Sequence, residues 1–127
     1  MNAEPAPRAP MRRGEIWALD AHGAEAAAPV VIVQDDNFDA TDSVTICAFT
    51  TDPAEAPLFR PRIIPSTLNG LRQVACIMVD KLTTIPRARI SHRLGRLQDA
   101  DVVLLNRAMV VFLGLAVSSR FRRERAP

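Results

Sequence analysis

Few side chains in this chain combine type and spacing into usable chemistry. Thr50 and Thr51 stand where one apolar run, SVTICAF, gives out. Arg60, Arg62 and Arg72 carry positive charge through the following stretch, and Asp80 and Lys81 adjoin just after a second apolar run, QVACIMV. Hydroxyls, arginines and one acid are a sufficient kit for cleaving a phosphodiester without a metal. The planar fork of an arginine fits a phosphate, and a hydroxyl donor helps hold the charge that develops on a pentacovalent phosphorus. The same threonines also suit an ordinary strand end and a turn cap, so residue types alone leave both readings open.

Other chemistries lack their parts. His22 and His92 have no Cys, Ser or metal-ligand companion at useful spacing. The five glycines are scattered and form no phosphate loop. The acidic run Asp35, Asp36, Asp39 and Asp42 lacks the Gly and terminal Glu of a calcium loop and reads as a solvated turn with a helix cap. Cys47 and Cys76 each lie inside an apolar run and read as two buried core thiols, too isolated for a metal site. The expectation is therefore no metal and no cofactor.

The 127 residues, 48% hydrophobic, are enough for one domain with a real core. No apolar run reaches the 18 or more residues that a spanning helix needs, and the N-terminus lacks a signal-peptide pattern. A cytoplasmic protein is expected, where a disulfide is disfavoured. Net charge is +2, with three Arg and one Glu in Met1–Arg13 and four Arg and one Glu in Arg120–Pro127. The body between them is thus acidic, with nine basic and twelve acidic residues, so any nucleic acid must be gripped by a local patch. The expected division is a disordered Ala/Pro-rich tail over 1–12, one domain over 13–116 and an Arg-rich tail over 117–127, either solvated or a loose polyanion binder.

The elements that must position these residues are mostly short strands. Gly14–Leu19, Pro29–Gln34 and Ser43–Phe49 read as strands, with loops at Asp20–Ala28 and Thr50–Pro57 and a helical turn near Asn37–Ala40. Leu58–Ile64 reads as an edge strand because it contains Pro61, and Pro65–Gly70 as a turn. Gln73–Val79 reads as a strand that continues up to Thr84 before Pro86 stops it. Ile90–Leu97 follows as another strand, weakened by Gly95. Asp99 looks like the N-cap of a helix running to about Leu113, with Asp101 in its first turn and Gly114 suited to its C-terminal cap. Val102, Leu105, Ala108, Met109 and Phe112 share one helix face. Val103, Leu104, Val110 and Val111 fall largely off it. Either the helix packs deeply on the sheet, or its second face meets a partner subunit. Many strands and one closing helix point to a small β-rich barrel or half-barrel.

Five segments, in order, resemble one family. Arg13-Gly14-Glu15-Ile16-Trp17 is similar to the "RGEIW/RGDIY" opening of the MazF/PemK toxin endoribonucleases of bacterial toxin–antitoxin pairs. PVVIVQDD at Pro29–Asp36 resembles their "RPVLVIS-ND" strand, and ICAFTTD at Ile46–Asp52 their "V-PLTT" strand end. Asn69–Ile90 and Arg93–Leu115 are similar to the family's "-GL--DS-V--DQI-TV-K-RL" and "-IG-L-----I---L---LGL". The resemblance implies an α+β, β-rich fold: an SH3-like antiparallel barrel (MazF/PemK/CcdB-like) with a C-terminal helix. It also implies a homodimer and metal-independent cleavage of single-stranded RNA, with the 2′-hydroxyl attacking the phosphate to leave a 2′,3′-cyclic phosphate and a 5′-hydroxyl. The partner it implies is a MazE-like antitoxin whose acidic, partly disordered C-terminal segment covers the RNA groove. By the same resemblance, Thr50 is the catalytic hydroxyl that hydrogen-bonds the transition state. Asp80 and Lys81 match the acid–amide pair that contacts bases, with Lys in place of the common Gln. Thr51, Arg60, Arg62 and Arg72 are RNA-contact candidates by position and charge.

One departure falls where it matters most. The family's main catalytic arginine precedes the "P-V-V-I-V" strand, and this chain has Ala28 there, with Ala26 and Ala27 replacing residues that are typically polar. An alanine neither donates a proton nor binds an oxyanion, and losing one strong oxyanion donor typically costs about 10²–10³ in rate. Three readings stay open: an engineered Arg-to-Ala replacement, a natural inactive relative that still binds antitoxin or RNA, or another arginine, Arg60 or Arg62, in the role. A gyrase-poisoning toxin of the same fold is the remaining alternative.

Overall fold

The computed structural model describes residues 9–20, 28–52 and 58–115. Among them, strands β1 (Glu15–Leu19), β2 (Ala28–Ile32), β3 (Ser43–Thr50), β4 (Arg62–Ile63), β5 (Ala75–Ile77), β6 (Thr83–Pro86) and β7 (Ile90–Arg96) precede one helix, α1 (Asp99–Phe112). Every pairing is antiparallel, in the order β4-β5-β3-β2-β1-β7 with β6 also on β3. The result is a curled half-barrel closed off by α1.

The run Val30–Val33 is buried along its whole length because it serves two cores. Val31 and Val33 point to a cluster with Ile16, Cys47, Ile63, Ile77 and the helix residues Leu105 and Ala108. Val30 and Ile32 point the other way, to Met11, Trp17, Val44, Ile46, Ile85 and Ile90. This is the two-residue side-chain period of a strand with apolar surface on both faces. Met11 is thus part of the fold, two residues before the expected domain start.

Three segments differ from expectation. Leu58–Ile64 is strand only over Arg62–Ile63, because Pro61 has no N–H to give; its carbonyl instead accepts Ile77 N at 3.0 Å. The strand beginning near Gln73 does not run on to Thr84. A 3-10 turn at Val79–Lys81 splits it, so β5 pairs the end of β3 and β6 its beginning on the same edge. The Asp35–Asp42 run does hold a 3-10 turn, Asp36–Phe38, capped by Asp35, whose carboxylate accepts Asn37 N at 2.8 Å. It is not simply solvated: Asp36 accepts Arg13 N at 2.7 Å, and Asp39 pairs with the buried Arg87 at 2.7 Å.

The helix starts one residue earlier than read, with Gln98 as the N-cap and Asp99 already helical. Its end is as expected: Gly114 takes φ +75°, Leu115 N donates to Val110 O at 2.9 Å and Gly114 N to Val111 O at 3.2 Å. That is the paired bonding of a glycine-terminated helix. Deep packing on the sheet is not what the helix does. Only Asp101, Leu105 and Ala108 are buried. Val103, Leu104, Val110 and Val111 are exposed and line, with Leu58, Asn106 and Arg107, an apolar groove of about 610 Å³. Phe112 leaves the expected inward face, 44% exposed, and meets Phe59 with ring centroids 5.6 Å apart. No helix among the described residues is long and apolar enough to cross a membrane.

Candidate active site

The opening Arg13–Trp17 motif is an anchor for the strands that carry the site. Arg13 donates from Nε to Val33 O at 2.8 Å and from Nη2 to Met109 Sδ at 3.3 Å, tying β1 to the end of β2 and to α1. Glu15 accepts Arg12 N at 2.7 Å and Trp17 Nε1 at 3.2 Å, and pairs with Arg93 Nε of β7 at 2.8 Å. Ile16 and Trp17 enter the two cores. A charged, partly buried group held by several partners is a strong local determinant.

Opposite this anchor, strand pairing lines up the residues with chemistry. Thr50 at the end of β3 is the direct partner of Cys76 on β5, and Cys76 is the direct partner of Arg62 on β4. Direct partners on neighbouring strands share a face, so the hydroxyl, thiol and guanidinium stand in one row. On the other side of β3 the register is Val30↔Ala48 and Val31↔Cys47. Carried two residues further, that register sets Ala28 across from Thr50, on the same face. Ala28 and Arg62 are exposed, and Thr50 and Cys76 half-buried.

Thr50 Oγ1 accepts Asp52 N at 3.1 Å, the strand-end cap its residue type allowed. Its O–H remains a donor. Cys76 is not the fully buried thiol expected, because it lies in this outward row, whereas Cys47 alternates into the core. Burial pushes the Cys47 thiol up to about 11. Both cysteines are free thiols.

The arginines part company. Arg60 makes a two-pronged pair with Asp80, Nε to Oδ1 and Nη2 to Oδ2, each 2.9 Å. The Arg60 hydrogen bonds hold the Asp80 carboxyl below its ordinary range, against the opposing effect of desolvation. Arg60 is therefore occupied by a carboxylate. Asp80 and Lys81 lie in the 3-10 turn whose Val79 is locked into the core. Thr51, Arg62, Arg72 and Lys81 are exposed. Arg62, Arg72 and Lys81 have no ion pair among the described residues. Ala26, Ala27 and His22 lie outside the described residues. His92 Nδ1 sits 3.0 Å from Ser91 Oγ on the exposed side of β7. No group of three or more His, Cys, Asp or Glu among the described residues could hold a metal ion.

Asn69 is the positioning residue that sequence reading passed over. It is 1% exposed; its Oδ1 accepts Ser66 N and Leu71 N, and its Nδ2 donates to Ile64 O at 2.9 Å. It ties the end of β4 to the segment leading to Arg72. The turn read over Pro65–Gly70 ends on an Asn-Gly pair, and an Asn bonding the backbone two residues on is the signal there that would have singled Asn69 out.

A model of the family described as PemK-like, MazF-like toxin of type II toxin-antitoxin system matches residues 12–113. The chain is 51% identical over 108 residues to a probable endoribonuclease MazF of Mycolicibacterium smegmatis, covering 84% of this chain and 99% of that one. Among solved structures it is similar to an endoribonuclease in complex with its cognate antitoxin from a mycobacterial species, with TM-score 0.69, 24% identity, and coverage of 89% and 100%. It is also similar to a MazE–MazF structure from Deinococcus radiodurans, with TM-score 0.65, 17% identity, and coverage of 83% and 97%.

Proposed function

Because the chain belongs to the PemK-like, MazF-like toxins of type II toxin–antitoxin systems, we propose that it acts as an endoribonuclease on single-stranded RNA without a metal, its rate held down by Ala28. The 2′-oxygen attacks phosphorus, the bond to the 5′-oxygen breaks, and a 2′,3′-cyclic phosphate and a 5′-hydroxyl remain. The observation that carries this reading is the row Thr50, Cys76 and Arg62 across β3, β5 and β4, which the β2–β3 register, extended by two residues, continues to Ala28. Thr50 donates its hydroxyl hydrogen to a non-bridging phosphate oxygen as charge builds there. Lys81 contacts bases through an ammonium that supplies donors only, where an amide would both donate and accept, while Asp80 accepts from bases through the lone pairs that its pair with Arg60 leaves open. Thr51 and Arg72 line the approach of the strand.

The relatives solved with antitoxins support an antitoxin partner here, bound through an acidic segment over the same face. The exposed apolar side of α1 supports a second copy of the chain as the occupant of its groove. Ala28 favours one other reading: a module that binds antitoxin or RNA and barely cuts.

Restoring the guanidinium tests the enzyme reading. Ala28→Arg, purified without antitoxin and assayed with EDTA on mixed-sequence single-stranded RNA, should cleave about 10²-fold or more faster than the parent. Mass spectrometry should find cyclic phosphate ends. RNA left intact by this variant overturns the assignment. Sedimentation of the same sample at the mass of one chain would exclude the dimer.

A further inference from the structure

We propose that Arg62 supplies the phosphate-binding guanidinium that Ala28 cannot, gripping the scissile phosphate from the opposite side of Thr50. The inference rests on the ribonuclease reading above and says how this chain retains catalysis.

Three observations converge on Arg62. First, it occupies the same row as Thr50, two strands away through Cys76. Paired α-carbons are about 4.5–5.5 Å apart, so the two backbones are separated by about 10 Å. A phosphate carried on the sheet over the small Cys76 side chain would have the Thr50 hydroxyl on one side and the Arg62 fork on the other. Second, Arg62 is exposed and has no ion pair among the described residues. The other arginine considered for the role, Arg60, spends both prongs on Asp80 at 2.9 Å. Freeing it would strand a carboxylate beside the incoming phosphate. Third, β4 is the edge strand of the sheet among the described residues, so no further described strand pairs beyond Arg62.

The role is electrostatic. The guanidinium holds two non-bridging oxygens by paired N–H donors and is not the group that moves a proton. The 2′-hydroxyl proton goes to solvent, the 2′-oxygen forms its bond to phosphorus, and the departing 5′-oxygen takes a proton from water. Without an acid–base group at position 28, proton transfer rests on the solvent, which fits a slowed enzyme.

The test compares Arg62→Ala and Arg62→Lys in the chain as it stands and in the Ala28→Arg background. A fluorescent single-stranded RNA gives kcat and KM, and thermal melting confirms the fold. In the parent, Arg62→Ala should lower kcat/KM by about 10²-fold, and Arg62→Lys should recover only part, having the charge without the fork. In the Ala28→Arg background the same loss should shrink to about tenfold or less, because two guanidiniums then share one phosphate. Equal losses in both backgrounds, full activity of Arg62→Ala, or a parent that cuts no RNA while Ala28→Arg cuts it, each overturn the Arg62 role. Failure of Ala28→Arg itself overturns the ribonuclease reading instead.

Discussion

The motif Arg13–Trp17 and the row Thr50, Cys76, Arg62 belong to one sheet and are built in opposite ways. In the motif nearly every polar group is committed: Glu15 alone holds Arg12 N, Trp17 Nε1 and Arg93. In the row, Thr50 accepts one bond, from Asp52 N, and Arg62 has no ion pair among the described residues. Polar groups that are satisfied within the fold stabilise it and are unavailable to a ligand. Polar groups left open on a rigid strand frame contribute little to stability and keep their binding capacity. Substitutions should therefore separate into those that move stability and those that move activity.

The largest effect should come from the anchor side. Gly95 of β7 is the partner of Ile16, and a Cβ there would lie 2.4 Å from Leu68 O and 2.6 Å from the Asn69 carbonyl carbon. Both neighbours are backbone, fixed by the bond from Arg96 N to Leu68 O at 3.0 Å. Gly95→Ala must push β7 off the turn that Asn69 organises, at an expected cost above about 4 kcal/mol in urea unfolding. A loss under about 1 kcal/mol would mean that the turn yields easily and the frame is softer than its contacts imply.

The row should behave the other way. Thr50→Ala removes one exposed cap bond, so stability should fall by about 0.5–1 kcal/mol. Cleavage by the Ala28→Arg protein should fall about 10²-fold, with Thr50→Ser keeping most of the rate. Paired melting and RNA assays check both. A large stability loss with unchanged cleavage would reassign Thr50 from the site to the scaffold.

How much of this was legible in the sequence follows from the same division. The strands β1, β2 and β3, the helix and its glycine stop were readable because apolar period and capping chemistry act locally. The break between β5 and β6 was not. It comes from β3 offering its two ends to two partners, with Val79 drawn into the core between them. Thr50, Asp80 and Arg62 could be named as chemically capable, but their grouping could not. Whether Arg60 or Arg62 stays open depends on which one reaches Asp80, a contact across 20 positions in the chain. Cys76 was read as core because its neighbours are apolar; only the register turns it outward.

The smallest effect concerns two carboxylates that extend the comparison. Asp80 is paired with Arg60 and its carboxyl is held down. Asp101, in the first turn of α1, is 8% exposed, and its Oδ2 has no hydrogen-bond partner among the described residues. Burial pushes its carboxyl above the ordinary range, more than the bond with the Gln98 side chain draws it down. The signs are opposite. Asp80 contributes stability above the ordinary carboxylate pKa, which is lost as pH falls through its lowered folded value. Asp101 ionises more readily in the unfolded chain, so it costs stability once pH rises above the ordinary carboxylate range, and that cost is gone at lower pH. The positive N-terminal end of the helix favours the charge and trims the penalty. Asp101→Asn should therefore be slightly more stable than the parent at pH 7 and indistinguishable from it near pH 3. Urea unfolding across that range decides the point. A variant weaker than the parent at pH 7 would mean that the helix end, and not burial, dominates at this carboxylate.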